Sequence, residues 1–156
     1  MRLYVIRHSA AGNRSAWDRP DDLRPLSHKG RRQAGAIADM LESAGIDRLV
    51  SSPSVRCVQS LEPLAHRLGQ QVEIDERLAE GQDGEGALDL ADELRKKVDA
   101  AALCSHGDVI PDMLRILKAT TARFKEPLLW PKASTWVLTW DSGSWTKARY
   151  IPPPEL

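Results

Sequence analysis

A chain of 156 residues, 42% hydrophobic and 28% charged, is long enough to bury one substantial core and has the balance of a soluble globular domain spanning residues 1–156. Its 22 basic and 22 acidic side chains cancel, which removes the bulk electrostatic case for a nucleic-acid polymer or an anionic membrane as partner, so any anion site has to be local. Cys57 and Cys104 stand outside any zinc-like spacing and leave at most one disulfide open, and no apolar run reaches the length of a signal-peptide core or a membrane span, which makes the cytoplasm the expected compartment.

Leu3-Tyr-Val-Ile6 is short, apolar and rich in β-formers, and reads as a buried strand that ends abruptly on Arg7-His8. Ala10 to Leu26 is a polar loop without periodicity. Ser27 caps a helix running to about Ala44, with Ala34, Ile37, Ala38 and Leu41 at helical spacing and Gly45 as the stop. Asp47 to Ser51 is a second strand, and Pro53 marks the start of a helix whose stripe is Val55, Val58, Leu61, Ala65 and Leu68, closed by Gly69.

Gln71 to Ile74 is a third strand. Glu80 to Gly86 is a glycine-rich acidic loop, and a helix follows over about Ala87 to Val98. Ala101 to Cys104 is a fourth apolar run, ending in Ser105-His106-Gly107, with a helix over Val109 to Leu117 behind it. Thr135 to Trp140 and Ser144 to Tyr150 form a closing hairpin. Strands alternating with helices predict an α/β protein, a three-layer α/β/α sandwich around a mostly parallel sheet. Ligands bind such sheets beyond the carboxyl ends of the strands.

Three of those ends carry unusual chemistry. The first delivers Arg7-His8, the second leads through Ser51-Ser52-Pro53 to Arg56, and the fourth delivers His106. Two histidines and two arginines converging beside helix N-termini suit a tetrahedral phosphoryl group. One neutral imidazole can attack phosphorus while the others hold the equatorial oxygens and a carboxylic acid protonates the leaving oxygen. Clustered histidines and carboxylates also suggest a metal, but no H-E-x-x-H spacing is present and the arginines would repel a cation. The expected chemistry needs neither metal nor cofactor.

These residues resemble the histidine phosphatase superfamily, the phosphoglycerate-mutase-like fold. The resemblance rests on Arg7-His8-Ser9, on Ser51-Ser52-Pro53-Ser-Val-Arg56-Cys-Val-Gln59-Ser60, on Ser105-His106-Gly107, and on Arg24-Pro-Leu-Ser-His-Lys-Gly30-Arg-Arg-Gln33-Ala34 ahead of the first long helix. It covers residue 2 to about residue 117 in order. The short length is similar to the bacterial phosphohistidine-phosphatase branch. Arg7 to Ser15, Val55 to Gln59 and Lys132 to Leu138 are closer still to the phosphatase-like half of actinobacterial Nudix fusion proteins, although no Nudix signature is present here.

The resemblance implies His8 as nucleophile, Arg7, Arg56 and His106 as phosphate ligands, Arg14 as a further phosphate contact, and Glu80 as the acid. Three departures stand out: Ser9 replaces a common glycine, Ser60 replaces a usual threonine while keeping the hydroxyl, and the acid motif around Glu80 is abbreviated. Asp18, Asp21 and Asp22 are alternative acids from the first loop. His28 and His66 read as surface or capping residues, and Trp130, Trp136, Trp140 and Trp145 as packing. Larger members of that superfamily place a long insertion over the site after the third strand, and the interval Glu80 to Ala87 is short, so the resemblance implies an open pocket.

An open pocket would accept a phosphomonoester, a nucleotide phosphoanhydride or a protein phosphohistidine. The partner is then a phosphorylated small molecule or a phosphohistidine protein. The competing reading is a catalytically weak phosphate-binding or interaction module of the same fold.

Overall fold

The computed structural model describes residues 1–125 and 127–156. Its strands are β1 (Arg2–Arg7), β2 (Arg48–Ser51), β3 (Val72–Ile74), β4 (Ala100–Ser105), β5 (Arg123–Phe124), β6 (Thr135–Asp141) and β7 (Ser144–Ile151). The helices are α1 (His28–Leu41), α2 (Val55–Leu68), α3 (Gly84–Arg95) and α4 (Val109–Thr120).

The strands form one sheet in the order β3-β2-β4-β1-β6-β7-β5, so β1 is its central strand. β3, β2, β4 and β1 are mutually parallel, and β6 alone runs against its neighbours. The mostly parallel α/β/α sandwich expected from the alternation is the observed architecture.

β1 shows why the sheet needs two helical layers. Successive strand side chains point to opposite faces. Leu3 and Val5 enter one core with Leu90, Leu94, Met113 and Leu114 of α3 and α4. Tyr4 and Ile6 enter the other with Ile37, Leu41, Leu61 and Leu64 of α1 and α2. Residues buried on both faces read as the unbroken apolar run seen in the sequence. Trp136 and Trp145 are buried in the α3/α4 layer, and Trp130 and Trp140 pack against it, as their packing assignment requires.

Several helix ends differ from expectation. α3 starts at Gly84 rather than Ala87, because the Asp83 side chain accepts the Gly86 N–H and caps the helix three residues earlier. Gly84 also lies so close to α4 that a Cβ would stand 2.3 Å from the Met113 nitrogen. α1 ends at Leu41, before the expected Ala44, and α4 continues three residues past Leu117 to Thr120. α2 does stop at Gly69, whose left-handed φ of 64° suits a residue without a Cβ. β5 is two residues long, too short to leave a periodic signature. Among the described residues, no helix is long and apolar enough to cross a membrane.

Candidate active site

Parallel pairing aligns the strand ends that carry the chemistry. Arg7 of β1 is opposite Ser105 of β4, and Ser51 of β2 is opposite Cys104 of the same strand. The residues that follow, His8, His106 and Ser52, therefore leave the sheet side by side. The His8 and His106 rings sit 5.4 Å apart, edge to face at 63°.

His8 is 5% exposed, and its Nδ1 lies 2.8 Å from the Ser9 carbonyl oxygen. A carbonyl only accepts, so Nδ1 carries the proton and Nε2 keeps its lone pair. Burial is the chief reason the imidazole resists protonation, with the charges of His106, Arg56 and Arg7 adding to it, and its pKa is lowered to about 3. His8 is thus a neutral imidazole of fixed tautomer.

His106 Nε2 is 2.8 Å from the Ser52 hydroxyl oxygen and 3.5 Å from Cys57 Sγ. Ser52 accepts from the Ser54 N–H at 3.3 Å and can donate to His106 Nε2, which leaves His106 Nδ1 as an N–H donor. Arg7 donates from Nη1 to the Trp130 carbonyl oxygen at 2.8 Å. Its guanidinium lies flat against Gly107, where a Cβ would come within 2.7 Å of Cζ.

Arg56 is fully buried and does not itself line the cavity. One guanidinium nitrogen donates to the Asp21 carbonyl at 2.9 Å, and the other meets Asp21 Oδ2 at 3.1 Å and Glu80 Oε2 at 3.0 Å. A fully buried guanidinium needs such neutralisation. Glu80 turns its other oxygen to exposed Arg14 at 3.3 Å. Arg7 Nε, Arg56 Nε and His106 Nδ1 are buried without a hydrogen-bond partner among the described residues. Buried donors left unsatisfied are costly unless an anion can meet them.

The cavity in front of them encloses about 580 Å³ and is broadly open. Four cations line it, Arg7, Arg14, Arg24 and Lys132, against two carboxylates, Glu80 and Asp108. All six residues singled out from the sequence meet here, five on the wall and Arg56 behind it through Glu80. Asp21 is not on the wall. Burial would raise its carboxyl, but the Arg24 hydrogen bond and the charges of Arg56, Arg24 and Arg14 outweigh that and hold it below the usual range. Asp18 and Asp22 are exposed and off the wall, as His28 and His66 are exposed on their helices.

Supporting contacts escaped the sequence. The Ser60 hydroxyl accepts the Ser9 N–H at 2.9 Å and donates to the Arg56 carbonyl at 2.7 Å, locking the end of β1 to α2. Gln33 of α1 accepts the Ala10 N–H at 2.8 Å. Asp108, which caps α4, accepts the Gly81 N–H at 2.7 Å. An acidic residue just before a helix was a visible cap signal; its reach to Gly81 was not. Lys132 had no signal beyond its place in a segment shared with relatives. Cys57 and Cys104 are buried free thiols, so the open disulfide is not formed.

Residues 3–99 match the model of the histidine phosphatase superfamily, branch 1. An 8-oxo-(d)GTP phosphatase of Mycolicibacterium smegmatis is 33% identical over 98% of the chain, which spans only 48% of that relative's length. Among solved structures, the protein histidine phosphatase SixA bound to tungstate superposes with a TM-score of 0.75 at 22% identity, covering 97% of this chain and 94% of that one. A SixA phosphohistidine phosphatase candidate from Agrobacterium tumefaciens gives 0.77 at 22% identity, covering 97% and 98%. The family match spans the strand that delivers Arg7 and His8 and the helix that carries Arg56, and with it the chain belongs to the histidine phosphatase superfamily.

Proposed function

We propose that this chain, as one domain over residues 1–156, is a metal-independent phosphohydrolase that works through a phosphohistidine on His8. The observation that carries the reading is the His8 ring itself: Nδ1–H bound to the Ser9 carbonyl, Nε2 bearing a lone pair, and three unpartnered donors nearby. Nε2 attacks phosphorus, the bond to the leaving group breaks (P–O in an ester or anhydride, P–N in a phosphohistidine), and Arg7, Arg56 and His106 hold the equatorial oxygens. Glu80 gives the leaving oxygen or nitrogen its proton. It then takes a proton from the water that attacks the phosphohistidine, and His8 and inorganic phosphate are restored. Arrival of phosphate oxygens at Arg56 would compete with Glu80 for the guanidinium and release the carboxyl for this work. Arg14 is a further contact at the mouth.

The substrate is a phosphomonoester, a nucleotide phosphoanhydride or a protein phosphohistidine. The 8-oxo-(d)GTP phosphatase supports the second and the SixA likeness the third. Two buried free thiols fit a reducing compartment, the cytoplasm. A second reading, a weakly catalytic phosphate-binding module, is favoured by one observation: both Glu80 oxygens are engaged by arginines.

Turnover of para-nitrophenyl phosphate in EDTA, with acid-labile phosphate trapped on His8, tests the proposal. Wild-type protein should show both and His8→Ala neither. Turnover retained by purified H8A refutes the mechanism, and tight phosphate binding without turnover supports the binding module.

A further inference from the structure

The four cations on the cavity wall are not alike. Arg14 is matched by Asp21 and Glu80, and Arg24 by Asp21 and the Gly12 carbonyl. Arg7 is tied to the Trp130 carbonyl. Lys132 alone among them has neither a carboxylate nor a hydrogen-bond partner among the described residues, although it lines the same cavity.

Its position is built rather than incidental. The Ser134 N–H donates to the Pro131 carbonyl at 3.0 Å, closing a tight turn with Lys132 and Ala133 at the corners. Ala133 takes a φ of 67°, where a residue with a Cβ is strained and glycine or asparagine is usual. Its N–H is shared between the carbonyls of Arg7 at 3.1 Å and His8 at 3.2 Å. The turn that carries Lys132 is therefore pinned to the backbone of the nucleophile itself. Strained backbone of this kind persists only where its surroundings over-determine it, and such positions cluster at functional sites.

We propose that Lys132 is a second anion subsite beside the transferred phosphoryl group, selecting phosphoanhydride substrates, in which a second phosphate adjoins the one transferred. This rests on the phosphohydrolase reading above. One phosphoryl group at His8 occupies Arg7, Arg56 and His106. A substrate with a single phosphate leaves Lys132 facing like charge. Desolvation first, and then the charges of Arg7, Arg24, Arg14 and Arg56, lower the pKa of its ammonium, which places that group in the field of the phosphate clamp. A second phosphate supplies the missing counter-charge, while a phosphohistidine on a protein carries only one phosphoryl group. The inference thus separates substrate classes that the fold alone leaves together.

The test compares two non-hydrolysable probes by calorimetric titration: methylenediphosphonate, with two adjacent phosphonates, and methylphosphonate, with one. Wild-type protein should prefer the first by about tenfold or more, the scale of one charge-assisted contact. In Lys132→Met, an exposed substitution, the preference should fall to within about threefold, with methylphosphonate binding changed less than about twofold. Lys132→Arg should keep it. A preference that survives in K132M, or an equal loss for both probes, overturns the subsite. If methylphosphonate binds and Arg7→Gln abolishes that binding, but the second phosphonate adds nothing, only the Lys132 inference fails. If neither probe binds wild-type protein, the phosphohydrolase reading fails with it.

Discussion

The carboxylate of Asp108 accepts the N–H of Gly81 at 2.7 Å and so ties the residue after Glu80 to the first turn of α4. Its other oxygen accepts the Val109 N–H at 2.8 Å, and Asp112 accepts the Gly84 N–H at 2.6 Å one turn further on. Glu80 sits on an exposed loop, and these two aspartates tie that loop to α4, while the Ser105 hydroxyl donates to the Leu78 carbonyl just ahead of it at 2.7 Å. Asp108→Ala should lower kcat about tenfold with KM within about twofold, because misplacing the carboxyl proposed as the acid affects the chemical step rather than binding. The lost cap should cost about 1 kcal/mol. Asp108→Asn, itself a good cap, should restore most of the stability but not the rate, since an amide offers one acceptor oxygen where two are used. Thermal melts and steady-state kinetics on the two variants separate these roles; recovery of the full rate in D108N would show that Asp108 acts only as a cap.

Gly107 is required by Arg7. With a Cβ within 2.7 Å of Cζ and 2.8 Å of Nη2, Gly107→Ala forces the guanidinium off the strand end. Gly107 does not take a positive φ, so the backbone itself accepts alanine. We expect kcat/KM to fall by about a hundredfold, as displacements near 1 Å at a reacting centre do, with little change in melting temperature. Phosphate affinity measured alongside should fall as well. An unchanged kcat/KM would mean that Arg7 does not hold the phosphoryl group.

The parts of this site that were legible in the sequence are those written locally. Arg7, His8 and His106 lie within two residues of the end of an apolar run, and parallel pairing brings such strand ends to one edge without further information. Arg56 was legible because it opens a helix behind such an end. Lys132 was not, because its placement depends on a turn that returns to β1 through hydrogen bonds from Ala133 to Arg7 and His8, contacts that no periodicity encodes. The same holds for Asp21, whose polar loop folds back to cover Arg56. β5 was missed because two residues carry no pattern, and the start of α3 because a cap outweighed a glycine-rich composition.

The pKa of His8 has two consequences with definite signs. Its folded value, about 3, lies below the ordinary 6.5. Between those values the unfolded chain binds a proton that the folded one refuses, so this group destabilises the fold as pH falls below 6.5 and adds nothing further below about 3. Within that window wild-type protein should lose up to about 1.4 kcal/mol per pH unit relative to His8→Asn. Denaturant titrations at pH 7.5, 6 and 5 measure the difference, and parallel pH dependences for the two proteins would contradict it. For activity, if His8 is the nucleophile as proposed, any acid limb of kcat/KM above about pH 4 comes from another group or from the substrate, because His8 is already neutral there.

Glu80 and Asp21 share Arg56, and their substitutions should diverge. Asp21 is held ionised by its arginines and stands off the cavity wall, which suits a counter-ion and not an acid. Asp21→Asn should therefore act mainly on stability, by about 1–3 kcal/mol, because Glu80 alone then neutralises a fully buried guanidinium. Glu80 lines the cavity, and Glu80→Gln keeps its shape while removing the proton. General acid catalysis contributes roughly a hundredfold or more, and most where the leaving oxygen is basic. E80Q should accordingly lose far more kcat on an alkyl phosphate than on para-nitrophenyl phosphate, whose leaving group departs without help. The phosphohistidine should accumulate with the activated substrate, since its hydrolysis still lacks a base. Rapid-quench measurement of the burst on both substrates reads the two effects separately. If D21N rather than E80Q produces the loss that depends on the leaving group, the acid is Asp21 and Glu80 is the counter-ion.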